Sequence, residues 1–339
     1  MTDKQILRKE IQLSERVIKN RDKSKLPAFS FGEEYILNKK SSNALEDLVN
    51  FSQDWINNPK KYLNLDNYQL PKTTRTKNKI SFPSISNEKD TANFYISFPP
   101  KLRTNKDTLA ILLPHWGFKL NKATRGTNLI RYSLIPVSTA IYAPQHGSLD
   151  IDSMEDQYAT LGPNLGLTLS YFIQDLLNLI YFIRYIRKEF KNIGIISFSL
   201  GNTRALPLSI FTNVDFLIMH LLSDNFANSV LNGTITTDIA KLIKENISSE
   251  SLSRIWTPMN PGAYEKYFDQ LPKHTRLVQG LFDLTLGIDN CKEISKKLKP
   301  YAQIEENKFG HLTIAELKNS FPMMKRNAEF VKETYIRQR

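Results

Sequence analysis

The sequence predicts an α/β protein whose central sheet is mostly parallel, with helices on both faces and an antiparallel edge on its N-terminal side. Three observations predict this. Apolar runs at residues 108–114, 135–142, 193–198, 214–222 and 274–282 have the length of buried strands and alternate with helix-like or irregular stretches, the pattern of βαβ units. Before them, residues 79–85 and 92–98 alternate apolar and polar side chains around a polar loop, as an antiparallel hairpin does. Finally, the run Ile193-Gly194-Ile195-Ile196-Ser197-Phe198-Ser199-Leu200-Gly201 stops abruptly at a serine. A strand that delivers a side chain through a sharp turn into a helix has this form.

Residues 1–75 alternate lysine-rich helical stretches with polar turns. Ile6, Ile11, Leu13 and Val17 give a weakly amphipathic first helix. Leu45, Leu48, Val49, Phe51, Ser52 and Trp55 give a second. No chemistry is legible there, and the segment reads as an N-terminal helical arm on a main domain spanning residues 76–339. Within that domain, residues 168–190 form an apolar helix, followed by the strand carrying the serine. Residues 200–211 form the next helix, which Pro207 is expected to kink or shorten. Residues 226–270 interrupt the alternation with helical and irregular material. It resumes with a helix at 286–298, a short strand at 302–306 and a last helix at 312–336.

The chain has 339 residues, 41% hydrophobic and 24% charged, enough for a sizeable core. Its net charge of +12 is spread along the chain, without a compact Lys/Arg block interleaved with aromatics, so no nucleic-acid partner is expected. The single cysteine, Cys291, excludes an internal disulfide framework and any cysteine-based metal cluster. No helix offers an H-E-x-x-H or comparable ligand spacing, so no metal is expected. Residues 165–183 are apolar but carry Gln174, Asp175 and Asn178, which reads as a buried helix and not a membrane span. The charged N-terminus has no apolar stretch of a secretory signal, and a cytoplasmic location is expected.

In doubly wound sheets, reactive groups gather at the carboxyl ends of the strands. There the sequence places His115-Trp116-Gly117, His146-Gly147, Ser199, Ser223-Asp224, Phe282-Asp283 and Phe309-Gly310-His311. Serine hydrolysis needs a hydroxyl nucleophile, a histidine to take its proton and a carboxylate to orient that histidine. All three types occur, in the order Ser, Asp, His.

From about residue 77 onward the chain resembles the α/β-hydrolase family through five motifs in that family's order. Pro114-His115-Trp116-Gly117 is similar to its oxyanion loop, and Tyr142-Ala143-Pro144-Gln145-His146-Gly147 to the turn after its fourth strand. Ser197-Phe198-Ser199-Leu200-Gly201 resembles the nucleophile elbow. Gly280-Leu281-Phe282-Asp283 resembles the acid turn, and Lys308-Phe309-Gly310-His311 the histidine turn. The resemblance implies Ser199 as nucleophile, His311 as general base and Asp283 as its orienting acid. The oxyanion donors would be the N–H of Leu200 and an N–H near Trp116, and no cofactor would be needed. Two features depart from the family. Ser197 stands where the elbow usually has glycine, and the His115-Trp116 loop lacks a double glycine.

Asp224 is an alternative position for the acid, and His115, His146, Asp224 and Trp256 are candidates for the substrate pocket. Residues 226–270 lie where the family carries its lid. There Leu231, Ile235, Ile239, Leu242 and Ile243 form one apolar face, which either caps the site or packs on the sheet domain, while Trp256, Met259 and Tyr264 are placed to reach the pocket. The function implied is a serine hydrolase cleaving a small carboxylic ester or related acyl compound through an acyl-enzyme. Acyl transfer by the same residues, or a non-catalytic scaffold on this fold, would read the same way from sequence.

Overall fold

The structure, a computed structural model, describes residues 2–21, 23–98, 105–116, 137–143, 158 and 160–336. Its strands are β1 (Thr74–Arg75), β2 (Lys79–Pro83), β3 (Thr91–Ser97), β4 (Asn105–Leu113), β5 (Val137–Tyr142), β6 (Asn192–Phe198), β7 (Phe216–His220), β8 (His274–Gly280) and β9 (Gln303–Asn307). They form one nine-stranded sheet in the order β1-β2-β3-β5-β4-β6-β7-β8-β9. β1, β2 and β3 pair antiparallel, and β3 meets β5 antiparallel, while β5, β4, β6, β7, β8 and β9 run parallel. The order turns back on itself at β4. The chain moves from β4 out to β5, then returns to β6 on the other side of β4. The carboxyl ends of β4 and β6 therefore flank the switch point where such sheets bind ligands.

The principal helices are α1 (Asp3–Lys19), α2 (Ala44–Asn57), α3 (Leu165–Ile186), α4 (Gly201–Phe211), α5 (Phe226–Asn232), α6 (Thr237–Lys244), α7 (Ser249–Ile255), α8 (Ile288–Leu298) and α9 (Leu317–Ile336). The period of two along the buried strands divides the core between two faces. Leu109, Ile111 and Leu113 of β4 join Ile193, Ile195, Leu217 and Met219 on one face, under α2, α3, α4 and the insertion. Ala110, Leu112, Ile196 and Ile218 point to the other face, where Val331 of α9 meets them. Helix α3 is long and apolar enough to cross a membrane, but it runs through this core. Its Asn178 hydrogen-bonds Ser84, its Gln174 donates to Asp90, and its Asp175 accepts from Tyr142.

The N-terminal segment ends in β1, which pairs with β2 at the edge of the sheet. Its first helix differs from expectation. Helix α1 buries a different side from its apolar one: Ile6, Glu10 and Ser14 face inward, while Ile11 and Val17 are 45% and 37% exposed. The reason is what lies opposite. Glu10 meets the backbone N–H groups of Leu312 and Thr313, and the Ser14 hydroxyl lies 3.0 Å from that of Thr234. A surface rich in donors selects acceptors, and hydrophobicity does not report it. A capping box between Thr2 and Gln5 starts this helix.

The insertion also packs inward. Trp256 and Tyr264 are fully buried. The Trp256 indole donates to the Leu165 carbonyl at 3.2 Å. The Trp55 indole of α2 donates to the Tyr264 hydroxyl at 3.1 Å, which donates on to Pro258 O at 2.7 Å. The apolar face expected over Leu231 to Ile243 is divided between α5 and α6 by a turn at residues 233–236.

Candidate active site

Strand β6 ends at Phe198, and Ser199 takes φ = 49° before α4 begins at Gly201. For a residue with a Cβ this left-handed conformation costs on the order of 1–3 kcal/mol, and the surroundings hold it. The Ser199 N–H donates to His220 O at 3.0 Å, and its carbonyl accepts from Asn202 N–H at 2.8 Å. Gly201 is required by close approach: a Cβ there would lie 2.4 Å from the carbonyl oxygen of Leu113 and 2.8 Å from that of Pro114. Ser197, two residues before Ser199, donates to Asn202 Oδ1 at 2.5 Å. Asn202 then donates its amide to the carbonyls of His220 and Leu221, at 2.7 and 2.9 Å. Ser197 and Asn202 thus tie the turn at Ser199 to β7. Behind it, buried Arg204 pairs with Asp175 at 3.0 Å and also reaches Leu200 O.

His311 follows β9, and its Nδ1 lies 2.9 Å from Asp283 Oδ2. Asp283 is fully buried. Its other oxygen accepts from Thr285 N–H at 3.0 Å and Leu286 N–H at 2.8 Å. The residue both caps its own turn and grips the histidine, using one oxygen for each. Burial alone would lower the His311 pKa, but the charge and hydrogen bond of Asp283, with a further contribution from Glu10, hold it above the ordinary imidazole value.

Ser199 and His311 line one cavity of about 520 Å³. Its other walls are Phe198, His115 and Trp116 beside β6 and β4, Leu221 after β7, Ile235 from the insertion, and Leu312, Ile314 and Ala315 after the histidine. Val17, Asn20 and Arg21 complete it from the end of α1 and the residues after it. The Arg21 guanidinium stacks over the Trp116 ring, 4.5 Å from its centroid, and donates to Ile235 O at 2.7 Å.

The structure thus brings together Ser199, Asp283, His311, His115 and Trp116, with Leu200 at the N-terminus of α4. Helix N-termini leave their first N–H groups without acceptors inside the helix. His146 and the residues following Trp116 lie outside the described residues. Two pocket candidates are corrected. Asp224 lies away from the cavity because it pairs with Lys297 at 2.8 Å and abuts Gly262. Trp256 is held in the core by the Leu165 carbonyl, its ring tilted against that of Phe226 at 6.2 Å. His220, directly after Met219 in β7, is buried and neutral: burial holds its pKa down at about 4. Its Nδ1 faces Ser197 O and its Nε2 faces the Asn327 amide, both at 2.9 Å. Among the described residues no group of three His, Cys, Asp or Glu side chains is placed to hold a metal. The N-terminal wall of the cavity had no signal in motif spacing. It was visible only as a helix whose inward positions carry polar side chains.

The sequence matches no family model and no curated protein sequence. Solved structures do match. Acetyl xylan esterase 1 of Thermoanaerobacterium sp. JW/SL YS485 superposes with a TM-score of 0.55 at 11% identity, over 84% of this chain and 94% of that one. The acetyl xylan esterase of Paenibacillus sp. R4 gives 0.55 at 12% identity, over 87% of this chain and 98% of that one. Carboxyl esterase 2 of the mycorrhizal fungus Tuber melanosporum gives 0.52 at 16% identity, over 78% and 89%. Together with the sheet order, these likenesses make the fold that of the α/β-hydrolases.

Proposed function

We propose that this protein is a serine hydrolase that cleaves a small carboxylic ester, or a related acyl compound, through an acyl-enzyme. One observation carries the reading: a serine in a left-handed turn at a strand end shares a cavity with a histidine that is gripped by a buried aspartate. With Nδ1 of His311 protonated and facing Asp283, Nε2 is the free acceptor. It takes the proton of Ser199 Oγ as that oxygen attacks the ester carbonyl, and returns it to the departing alcohol. Water then attacks the acyl-serine with the same histidine as base. The oxyanion of each tetrahedral intermediate is held by the Leu200 N–H and an N–H near Trp116. The surrounding Val17, Leu221, Ile235, Leu312, Ile314 and Ala315 suit an uncharged acyl chain. The acetyl xylan esterases and the carboxyl esterase that share the fold are consistent with ester hydrolysis.

The test is covalent labelling of the folded chain. A fluorophosphonate should add once, at Ser199, and Ser199→Ala should take no label. Unlabelled wild-type protein in an intact mass spectrum would refute the reading.

A further inference from the structure

Helix α1 does more than wall the cavity. Its Glu10 is fully buried and spends both carboxylate oxygens on the histidine turn. Oε1 accepts from Leu312 N–H at 2.7 Å and Oε2 from Thr313 N–H at 3.0 Å. These are the two residues directly after His311. Gly310, directly before it, is shaped to the same purpose: a Cβ there would lie 2.5 Å from Glu10 Cδ and 2.5 Å from Phe282 O. The turn is therefore clamped between Glu10 on one side and the backbone next to Asp283 on the other. Each clamp needs the missing side chain at residue 310.

We propose that Glu10 is a positioning residue for His311: its carboxylate fixes the turn that aims the imidazole and supplies a second negative charge behind it. The inference rests on the serine-hydrolase reading of the site. Two oxygens that each accept an N–H suit the ionised carboxylate, although burial pushes the Glu10 pKa up against those bonds. An ionised Glu10 stabilises the imidazolium that forms as Ser199 attacks, in the same sense as Asp283. The groups facing His311 are few. Asp283 comes from the turn after β8, Glu10 from α1, and His115 from the end of β4. Arg21 lines the same cavity. Lys308 pairs with Asp3 at 3.0 Å, and Lys9 pairs with Glu316. Of the two carboxylates, only Asp283 touches the ring, so Glu10 acts through the backbone and through its charge.

Glu10→Gln keeps the size and one acceptor but removes the charge, so it separates this role from anchoring of the helix. The first measurement is the rate of fluorophosphonate addition to Ser199 between pH 4.5 and 9, in the full chain. With Glu10→Gln, the pH at which the rate is half-maximal should fall by roughly 0.5–1 unit, and the plateau rate should fall about 10-fold. Glu10→Asp should restore the position of the limb. Ser14→Ala is the control, because it weakens the same helix contact at Thr234 without touching charge. It should lower stability and leave the limb in place. The second measurement is the NMR titration of the His311 ring, assigned by loss of its signal in His311→Gln. It reads the coupling even if the wild type proves unreactive, and so keeps failure of this inference apart from failure of the serine-hydrolase reading. A Glu10→Gln protein that is less stable but titrates His311 at the wild-type pH, by either measurement, would overturn the proposal and leave Glu10 as a helix anchor.

Discussion

Replacing Asp283 by asparagine isolates the charge of the carboxylate proposed as the triad acid. Asp283 has two separable duties, since Oδ1 holds the N–H groups of Thr285 and Leu286 while Oδ2 meets His311 Nδ1. Asparagine keeps an acceptor for the two backbone donors, so the turn survives. The new amide points its N–H at His311 Nδ1. That nitrogen must then accept, and the ring proton moves to Nε2, where it faces the serine and blocks proton uptake. By analogy with the serine-protease case, kcat should fall by roughly 10³ to 10⁴, or about 4–5 kcal/mol of transition-state stabilisation. Stability should change by only about 1 kcal/mol, because every buried donor keeps a partner. Asp283→Ala makes the contrast. It should lose activity to the same extent but cost about 1–3 kcal/mol more in stability, since Thr285 and Leu286 N–H are then orphaned. Steady-state hydrolysis of an aryl acetate, beside urea unfolding of each variant, reads both quantities. Asp224→Asn should leave kcat unchanged, because Asp224 is engaged with Lys297. Retention of more than a tenth of the wild-type rate in Asp283→Asn, or the large loss appearing in Asp224→Asn, would refute the assignment.

The pH dependence should show two histidines of opposite sign. His311 must be neutral to act, and its pKa is raised, so kcat/KM should rise with pH through a midpoint above the ordinary imidazole value of 6.5. A midpoint below that value would contradict the Asp283 and Glu10 environment. For His220, held neutral with a pKa of about 4, the unfolded chain binds a proton that the native chain refuses between 6.5 and 4. Stability should therefore decrease as pH falls through that window, by up to about 3 kcal/mol, and His220→Gln should flatten this part of the unfolding profile. Trp256→Ala should cost about 3–5 kcal/mol, as expected of a buried indole, without altering preference among acyl chain lengths. A change of selectivity at unchanged stability would instead place that side chain at the pocket.

Much of the fold was legible because buried parallel strands advertise themselves. The runs around Leu109, Ile195, Leu217 and Leu277 are apolar on both faces, which few other elements are. The Ser199 turn was visible because strand and helix signals collide there with small residues on either side. The candidate acid was harder to read. Asp283 and Asp224 both follow apolar strands, and what separates them is their partners in space, His311 for Asp283 and Lys297 of α8 for Asp224. The role of residues 226–270 was equally hidden, because an apolar helix face packs on a core or covers a pocket with the same side chains. Least legible was α1. Pattern reasoning searches for apolar stripes, and the inward stripe of this helix contains a carboxylate and a hydroxyl. Their partners are backbone groups and a threonine more than two hundred residues away.

That separation has a consequence for how the molecule comes into being. Glu10 and Leu312 are 302 positions apart. At ribosomal speeds of about 5–20 residues per second, they are synthesised on the order of 15–60 s apart. During that interval the first helix carries a carboxylate with nothing to receive it, and in its later part Ser199 is made while His311 is not. On the proposed reading, Ser199 becomes a competent nucleophile only when the histidine turn emerges and folds back onto the first helix. Reactivity toward acyl compounds would, on the same reading, be withheld from the growing chain until then. A turn made late, on that reading, arms a site whose wall is made early.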